Sequence, residues 1–531
     1  MSPRPLADVA DALGLAHDRL VPHGHDKAKI TAAATPPPTG RQILVSAITP
    51  TPAGEGKTTV GIALTDALRQ RGHRVCLTLR QPSLGPFLGA KGGGSGGGAA
   101  RVVPTDDLDL HFTGDLHAVG SAHNLLAALL DHHLHRGNAL GIEARTLRWP
   151  RVVDVDDRAL RHVIVGLGGR QDGVPRETGF QITAASEVMA VLAMARDACD
   201  VAQRLGRMVL GRRAGGVALT PVDLEAVGAL QVLLRDAVLP TLVQTAEGAP
   251  VLVHTGPFAN VAHGTSSVIA SRLALAHADL VVTEAGFGFD LGGEKLLDLV
   301  APAVGQAPSA CVLVVTVRAL RHHGDGDLAA GLPQLLHHAT TARAAGLPVV
   351  VALNRFADDT DAELAEVTAL ARAADLPLAV CAPFTEGGAG TLALADQVLA
   401  HLGAPVAPSP FQDPTASVVD NLERLARTVH AADGVVLTPQ ARHDLAELEA
   451  LGLAHGPVCL AKTAASLSDD PHLRGVPTGR PLTIRALEPR AGAGWVVAVA
   501  GSLELMPGMP AVPRATRLGL DADGRVTDRG T

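Results

Sequence analysis

The sequence predicts an α/β fold: a large, P-loop-containing, mainly parallel sheet domain flanked by helices, with two smaller α/β domains. Apolar runs typical of buried strands alternate with helical patterns along most of the first 400 residues, as in parallel βαβ units. A glycine-rich turn between the first of these strands and its helix has the composition of a phosphate-binding loop. At 531 residues, the chain is also too long for one compact core.

Bulk composition excludes several classes of protein. The net charge is −8 and no long basic run occurs, so we expect no nucleic acid as the main partner. No apolar run is long enough to cross a bilayer, and residues 1–6 lack the apolar core of a signal peptide. The five cysteines are widely scattered and form neither a zinc pattern nor a disulfide framework. Together these features predict a cytoplasmic protein without a membrane partner.

The glycine-rich turn lies between an apolar run at 43–48 and a helical pattern at 60–71. Its nine residues are Thr51, Pro52, Ala53, Gly54, Glu55, Gly56, Lys57, Thr58 and Thr59. Backbone N–H groups of the turn and the helix start would face anionic oxygens, with Lys57 adding a positive charge and Thr58 offering its hydroxyl to Mg²⁺. The strict pattern has glycine where this chain has Thr51. The alternative is a Gly-Lys-Thr that merely begins a helix, which the preceding strand and the following helix disfavour.

The elements before and after this turn follow in order. Residues 6–21 read as an amphipathic helix and 31–40 as a proline-rich link. A second strand at 74–79 ends at Arg80, where ligands of doubly wound sheets collect, so Arg80 would reach phosphate oxygens held by the turn. A salt bridge at the strand end explains Arg80 equally well. The glycine cluster 89–98 is either a flexible linker or, because Lys91 lies inside it, a ligand loop.

Further strands are predicted at 162–167, 250–254, 280–284, 312–317, 349–354 and 378–381. Helices are predicted at 124–133 and 183–196, and a third follows the loop 255–264 and ends at residue 277. Residues 405–414 read as a linker, followed by a helix pair, the segment 459–463 and a hairpin near 485–499. The polar tail after 510 is expected to be loosely held. We therefore expect a P-loop domain at 1–340, a smaller α/β domain at 341–410 and a C-terminal α/β domain at 411–531.

From residues 27–30 to 506–510, the chain resembles the formate–tetrahydrofolate ligase (formyltetrahydrofolate synthetase) family. The motifs that carry the resemblance are 49–59, 82–86, 110–115, 256–260, 283–288, 317–320 and 466–470. It implies a homotetramer that uses ATP and Mg²⁺ to convert formate to formyl phosphate, which N10 of tetrahydrofolate attacks. A monovalent cation, K⁺ or NH₄⁺, is implied as well.

The resemblance also implies residue roles. Lys57, Arg80 and Asp115 would be catalytic: Lys57 at ATP, Arg80 on formyl phosphate and Asp115 beside the reacting amine. The turn 51–59 would bind ATP, with Thr58 at the metal. Gln81 and the aromatic pair Phe356 and Phe384 would form the folate site, since stacking suits a flat pteridine.

Several departures from the family concentrate on the substrate side. The family's Glu after the strand-end Arg is Gln81, its Tyr after the glycine cluster is Ala99, and its Trp in the second stacking loop is Phe384. Further differences are Gln181, Arg355, Ala464 and Ala465, and shorter stretches after 295 and 321. The chain thus resembles a diverged member of this family. Two alternatives to an active ligase stay open: a paralogue with a different formyl acceptor, and a non-catalytic nucleotide-binding regulatory protein.

Overall fold

The computed structural model describes residues 3–31, 37–89, 93–258, 260–261, 263–404, 407–501 and 503–529. The strands are β1 Leu20–Pro22, β2 Ala28–Ile30, β3 Arg41–Ala47, β4 Val75–Leu79, β5 Gly96–Gly97, β6 Ala100–Val103, β7 Arg151–Val153, β8 Val163–Val165, β9 Arg176–Thr178, β10 Phe180–Ile182, β11 Gly211–Arg213, β12 Val217–Leu219, β13 Thr241–Thr245, β14 Pro250–Val253, β15 Leu280–Glu284, β16 Ala310–Val315, β17 Val349–Asn354, β18 Leu378–Cys381, β19 Val435–Leu437, β20 Val458–Ala461, β21 Leu482–Arg490, β22 Trp495–Ala500, β23 Leu518–Leu520 and β24 Val526–Asp528.

The helices are α1 Leu6–Asp11, α2 Lys57–Gln70, α3 Leu84–Leu88, α4 Thr105–Asp109, α5 Asp115–His135, α6 Glu187–Met194, α7 Ala198–Arg207, α8 Val227–Leu234, α9 Val268–His277, α10 Ala301–Val304, α11 Val317–His323, α12 Leu328–Ala344, α13 Asp361–Ala373, α14 Pro383–Glu386, α15 Leu392–His401, α16 Val418–Thr428 and α17 Pro439–Ala450. Two π-helical turns, Phe289–Gly293 and Leu296–Val300, follow β15. No helix of the described residues is long and apolar enough to span a membrane.

One large mixed sheet organises the molecule. Its order is β1-β2-β13-β14-β4-β15-β3-β16-β17-β18, and β6 and β5 extend it from β13. From β14 to β18 the neighbouring strands are parallel. Their carboxyl ends therefore meet at one edge, which is where such sheets bind ligands. The α/β fold class is confirmed.

Two apolar layers cover the sheet, because its central strands are apolar on both faces. α2 and α15 pack on one face and contribute Leu64 and Val398 to that core. α9 and α12 pack on the other face through residues such as Leu273 and Leu335. The P-loop helix α2 is thereby held against the sheet it follows.

A second, four-stranded sheet lies in the C-terminal part, in the order β19-β21-β22-β20. β21 and β22 form the expected hairpin, and α16 and α17 are the expected helix pair. The predicted boundary at 340/341 falls inside α12, and β16 and β17 on its two sides pair in the same sheet. The chain thus continues the main sheet beyond residue 341, and the three-domain division stays a prediction.

Some predicted elements differ in the structure. The helix expected at 6–21 ends at Asp11, because Gly14 adopts a left-handed φ of 62° and the chain turns towards β1. The strand expected at 162–167 is only β8, which pairs with β9 outside the main sheet and leaves Ile164 61% exposed. Its apolar composition resembles that of a core strand, but glycines 166, 168 and 169 follow it at positive φ and separate it from any helix.

The helix expected at 183–196 is the shorter α6, which begins where Ser186 accepts a hydrogen bond from Val188 N–H. The tail is held more firmly than expected: β23 pairs with β24, and Arg514 lies 2.9 Å from Asp528. The Arg514 guanidinium also stacks 4.1 Å from the Phe87 ring centroid. Lys91, residues 32–36 of the predicted proline-rich link and the first two residues of the predicted linker at 405–414 lie outside the described residues.

Candidate active site

The glycine-rich turn connects β3 to α2 at the carboxyl edge of the sheet. Gly54 and Gly56 have left-handed φ values of 74° and 73°. A Cβ on Gly56 would lie 2.6 Å from the side-chain nitrogen of Asn354, so glycine is needed there for conformation and space. Lys57 and Thr58 are the first two residues of α2. The strand–turn–helix predicted for a phosphate-binding loop is present.

A buried carboxylate fixes the turn and explains the departure at Thr51. Glu55 is only 1% exposed, and it accepts hydrogen bonds from Thr51 N–H at 2.7 Å and Thr51 Oγ1 at 2.8 Å. Thr316, which follows the neighbouring strand β16, donates a third hydrogen bond to the Glu55 carboxylate. Thr51 therefore closes the turn through its hydroxyl.

Two further side chains brace the same turn from neighbouring strands. Asn354, the last residue of β17, donates to the Glu55 carbonyl at 3.0 Å. Arg318, near the start of α11, donates to the Gly54 carbonyl, and its guanidinium lies 4.0 Å from the Phe356 ring centroid. The turn and the Phe356 loop are thus mechanically joined through Arg318.

The structure adds Glu284 to the predicted site. Glu284 ends β15, which pairs directly with the P-loop strand β3, and its carboxylate accepts a hydrogen bond from Thr58 Oγ1 at 2.7 Å. Sequence reasoning missed it, although an acidic residue at the end of a buried strand was a usable signal. A hydroxyl and a carboxylate this close offer the oxygen ligands that Mg²⁺ prefers.

A magnesium ion fits this donor set as part of a nucleotide complex. Among the described residues, no group of three or more His, Cys, Asp or Glu side chains could hold a metal alone. Mg²⁺ is commonly held by one or two protein oxygens plus phosphate oxygens and water. Thr58 and Glu284 match that requirement.

Lys57 lies in an environment that disfavours its charge until an anion binds. Loss of hydration on burial lowers the pKa of Lys57, and the nearby carboxylates Glu284 and Glu55 oppose that shift only in part. A phosphate group at the helix start would supply the missing negative charge. The arrangement favours an anion there.

Arg80 and Gln81 follow β4 and line a cavity of about 220 Å³ together with Thr58 and Glu284. Gln81 is held by its backbone N–H, which donates to the Thr255 carbonyl at 2.6 Å. The Arg80 guanidinium packs directly against the backbone of Gly286. A side chain at that position would collide with it, because a Cβ on Gly286 would lie 2.5 Å from Arg80 Nη2. Among the described residues the Arg80 guanidinium has no acidic partner, so the salt-bridge alternative is not supported.

A larger cavity of about 470 Å³ adjoins this one at Gln81. Its lining includes His111, His117, Asn124 and Asp154. Gln81 lines both cavities. A ligand crossing from one to the other would therefore pass the Gln81 side chain.

Asp115, which was predicted to be catalytic, forms a buried ion pair with Lys29. Both of its carboxylate oxygens accept from Lys29 Nζ, at 2.7 and 2.6 Å, and both residues are buried. Lys29 also donates to the Leu239 carbonyl at 2.7 Å. This pair joins β2 to the start of α5, which is a structural arrangement, and a catalytic Asp115 stays a prediction.

The two aromatic residues lie in loops after β17 and β18, as predicted. Phe356 is half-buried beneath Arg318. Phe384 is 59% exposed and lies over the glycine cluster, where a Cβ on Gly97 would be 3.2 Å from its ring. Phe384 therefore does not pack in the core, where phenylalanine is usually found. Stacking of a pteridine between the two rings stays a prediction.

Comparison with known proteins agrees with this geometry. The family model described as formate–tetrahydrofolate ligase matches residues 1–528. Proteins named formate–tetrahydrofolate ligase from Myxococcus xanthus (strain DK1622) and Paracoccus denitrificans (strain Pd 1222) are each 48% identical to this chain, covering 99% of both chains in the first case and 98% of this chain and 97% of the relative in the second. The protein of that name from Thermus thermophilus is 48% identical over 98% of both chains. With a phosphate-binding turn, an arginine that has no acidic partner among the described residues and this near-complete match, the chain belongs to the formate–tetrahydrofolate ligase family.

Proposed function

We propose that the chain is an ATP-dependent ligase that joins formate to tetrahydrofolate through formyl phosphate. The observation that carries the proposal is the cavity after β4, where Thr58, Glu284 and Arg80 converge beside Lys57. Phosphoryl transfer needs positioning and charge neutralisation more than covalent catalysis. These side chains supply both.

The proposed first step moves the γ-phosphoryl group to formate. A formate oxygen forms a bond to the γ-phosphorus, the bond from that phosphorus to the ADP oxygen breaks, and its electron pair leaves with ADP. Lys57 holds the phosphates at the start of α2, and Arg80 neutralises charge on the transferring group. Mg²⁺, held by Thr58 and Glu284, would offset the negative charge of the ATP oxygens.

The proposed second step transfers the formyl group. The N10 amine of tetrahydrofolate attacks the formyl carbon, phosphate leaves with the electron pair of the broken C–O bond, and the departing phosphate takes up the proton that the amine loses. Gln81 borders both cavities and would orient the acceptor by hydrogen bonding, because an amide cannot take up the proton. Phe356 and Phe384 would stack on the pteridine.

The two alternative functions are not favoured. A relative 48% identical over 99% of this chain bears the ligase name, and the phosphate side keeps its lysine, threonine and arginine. Three finer features are proposed on family resemblance: a homotetramer, activation by K⁺ or NH₄⁺, and a cytoplasmic location. Sedimentation of the purified protein tests the first, and activity with Na⁺, K⁺ or NH₄⁺ as the monovalent ion tests the second.

One assay tests the main proposal. ADP release is measured with MgATP and formate, before and after tetrahydrofolate is added, and 10-formyltetrahydrofolate is identified as product. We expect slow release with formate alone and rapid turnover with both. The Lys57→Ala variant is the control and should lose most activity, since one charge-assisted contact contributes about 1.5–3 kcal/mol. Turnover with an amine other than tetrahydrofolate would favour the altered-acceptor function, and ATP binding without turnover would favour the regulatory one.

A further inference from the structure

Arg318 contacts both the phosphate-binding turn and the first aromatic loop. It is the second residue of α11, which follows β16, the neighbour of the P-loop strand β3. Its guanidinium donates a hydrogen bond to the Gly54 carbonyl and lies 4.0 Å from the Phe356 ring centroid. We propose that Arg318 is a positioning residue that couples the two large substrates, so that MgATP and tetrahydrofolate each bind more tightly when the other is present. This inference rests on the proposed function.

On the nucleotide side, Arg318 sets the direction of a peptide group. The carbonyl and the following N–H of a trans peptide point in opposite directions, so a donor on the Gly54 carbonyl turns the Glu55 N–H away from Arg318. Asn354 acts in the same way on the next peptide: it donates to the Glu55 carbonyl at 3.0 Å and so directs the Gly56 N–H. Neither N–H has a hydrogen-bond partner among the described residues. Both can therefore bind phosphate oxygens.

The start of α11 is held to the same turn at three points. The first is the hydrogen bond from Arg318 to the Gly54 carbonyl. The second is the charge contact of Arg318 Nε, which lies 3.9 Å from the Glu55 carboxylate. The third is the hydrogen bond that Thr316 donates to that carboxylate, while its side chain also caps α11 by accepting from Ala319 N–H at 3.0 Å. The Arg318 head group is therefore placed by the conformation of the turn.

On the acceptor side, Arg318 covers one face of Phe356. The main chain of this loop is fixed, since Phe356 N–H donates to Asp359 at 2.7 Å and Arg355 N–H donates to the Cys381 carbonyl at 2.9 Å. The ring, which is half-buried, can still turn about its side-chain bonds. A cation over one face is attracted to the π-electrons and holds the ring in one orientation. The opposite face is left for a flat ligand.

The coupling arises because one side chain makes both contacts. Ordering a long arginine side chain costs conformational entropy. The first substrate to bind orders the Arg318 guanidinium, either through the turn or through the ring, and the second substrate then meets a guanidinium that is already ordered. Binding free energies are reciprocal, so each ligand raises the affinity for the other by the same factor.

The test is a pair of binding titrations. The Kd of tetrahydrofolate is measured with and without saturating MgATP, and formate is omitted so that no turnover occurs. We expect MgATP to lower this Kd at least about fivefold in the unmodified protein, which is the lower end of typical coupling between sites. Arg318→Met keeps an unbranched side chain but removes the donors and the charge. In that variant the Kd should be the same with and without MgATP.

Arg321→Met is the matched control. Arg321 lies one turn further along α11 and pairs with Glu363 of α13, so its loss should leave the coupling factor unchanged. Phe356→Leu is the second variant and serves if Arg318→Met fails to fold. It should also remove the coupling, while the Kd of MgATP alone stays within about twofold of the parent's, because the ring acts on the nucleotide only through Arg318.

Two results would overturn the proposal. One is a folded Arg318→Met variant in which MgATP still lowers the Kd of tetrahydrofolate by the parent's factor. The other is an unmodified protein that binds the two ligands independently. If the unmodified protein does not bind tetrahydrofolate at all, the proposed function fails instead, and this inference fails with it.

Discussion

Thr58 and Glu284 are joined by a hydrogen bond that a bound magnesium ion would replace. The Thr58 hydroxyl donates to the Glu284 carboxylate at 2.7 Å. Both oxygens would turn to the metal, directly or through water, once MgATP binds. The pair is thus preorganised for the ion, because the ion finds its two oxygens already adjacent.

Glu284→Gln should weaken the use of Mg²⁺ without unfolding the protein. The amide keeps the shape and accepts the Thr58 hydrogen bond, but it removes the negative charge that attracts the cation. We expect the Mg²⁺ concentration for half-maximal ADP release to rise about 10–100-fold, as for other outer ligands of metal sites. Glu386→Gln, at an exposed position on α14, is the control. An unchanged Mg²⁺ dependence would remove Glu284 from the metal site.

Arg80→Lys should reduce turnover far more than ATP affinity. Lysine keeps the charge but loses the planar fork that binds two oxygens at once, and it cannot fill the space against Gly286 in the same way. We expect kcat to fall at least 100-fold, with the KM for ATP within about threefold of the parent's. Equal losses in both quantities would instead make Arg80 a plain ATP ligand.

At the scale of elements, the P-loop helix α2 contains a buried acid. Asp66 is 1% exposed. Burial raises its pKa from the ordinary 3.8 to about 7, although the hydrogen bond from Thr245 at 2.6 Å opposes the rise. In the folded protein Asp66 therefore keeps its proton at a pH where the unfolded chain has lost it. Its contribution to stability is full below about pH 4 and is lost as pH rises through about 7.

Asp66→Asn should consequently stabilise the protein more at pH 8 than at pH 5. Asparagine stays neutral and its oxygen still accepts from Thr245, so the variant avoids burying a charge. The difference in the free energy of unfolding between these two pH values is on the order of 3 kcal/mol. Melting temperatures of parent and variant at both pH values measure it. If the variant changes the melting temperature equally at both pH values, the pKa of Asp66 is not raised in the folded protein.

Phe384 belongs to α14, which follows β18 at the end of the main sheet. Its ring is mostly exposed, so Phe384→Ala should leave the melting temperature nearly unchanged. The KM for tetrahydrofolate should rise about 10-fold, because a stacking ring contributes roughly 0.5–1.5 kcal/mol beyond its burial. Leu520→Ala, another exposed apolar residue, controls for general surface effects. An unaffected KM would place the pteridine elsewhere.

At the scale of the molecule, the C-terminal part is joined to the P-loop part by buried ions. Lys462 donates to Asp290 at 2.9 Å, and Gln412 donates to Glu294 at 3.1 Å. Burial alone would raise the pKa of Asp290, but Lys462 holds that pKa well below its usual range. Each part therefore buries a charge, Lys462 in one and Asp290 in the other, whose partner lies in the other part.

Lys462→Met should destabilise the whole protein by about 3–5 kcal/mol, because it leaves a buried carboxylate unpaired. Adding Asp290→Asn to it should recover part of that loss. Thermal unfolding of the single and double variants measures both effects. Arg474→Met, which breaks an exposed pair with Asp325, is the control and should have little effect. If the double variant loses more free energy of unfolding than the two single variants lose together, the pairing of Lys462 with Asp290 is contradicted.

The sequence predicted the main sheet well because its central strands are continuous apolar runs. The predicted strands at 349–354 and 378–381 have the observed bounds of β17 and β18. Prediction from the sequence failed at β8, where an apolar segment resembles a core strand but lies outside the main sheet, and at Gly14, where a single glycine ends a helix.

Within the site, Lys57, Thr58 and Arg80 were visible as motif residues. The pairing of Thr58 with Glu284, 226 residues apart, and of Asp115 with Lys29 depends on strand order, which local patterns do not encode.

Backbone hydrogen bonding runs unbroken across the sheet from β4, which carries Arg80, through β15, β3, β16 and β17 to β18, which precedes Phe384. The phosphate-binding turn and the aromatic loops thus follow strands of one continuous hydrogen-bonded sheet. Amides of these strands should resist exchange with deuterated water as one cooperative block. A ligand bound at either end should then slow exchange along the whole row, including strands it never touches.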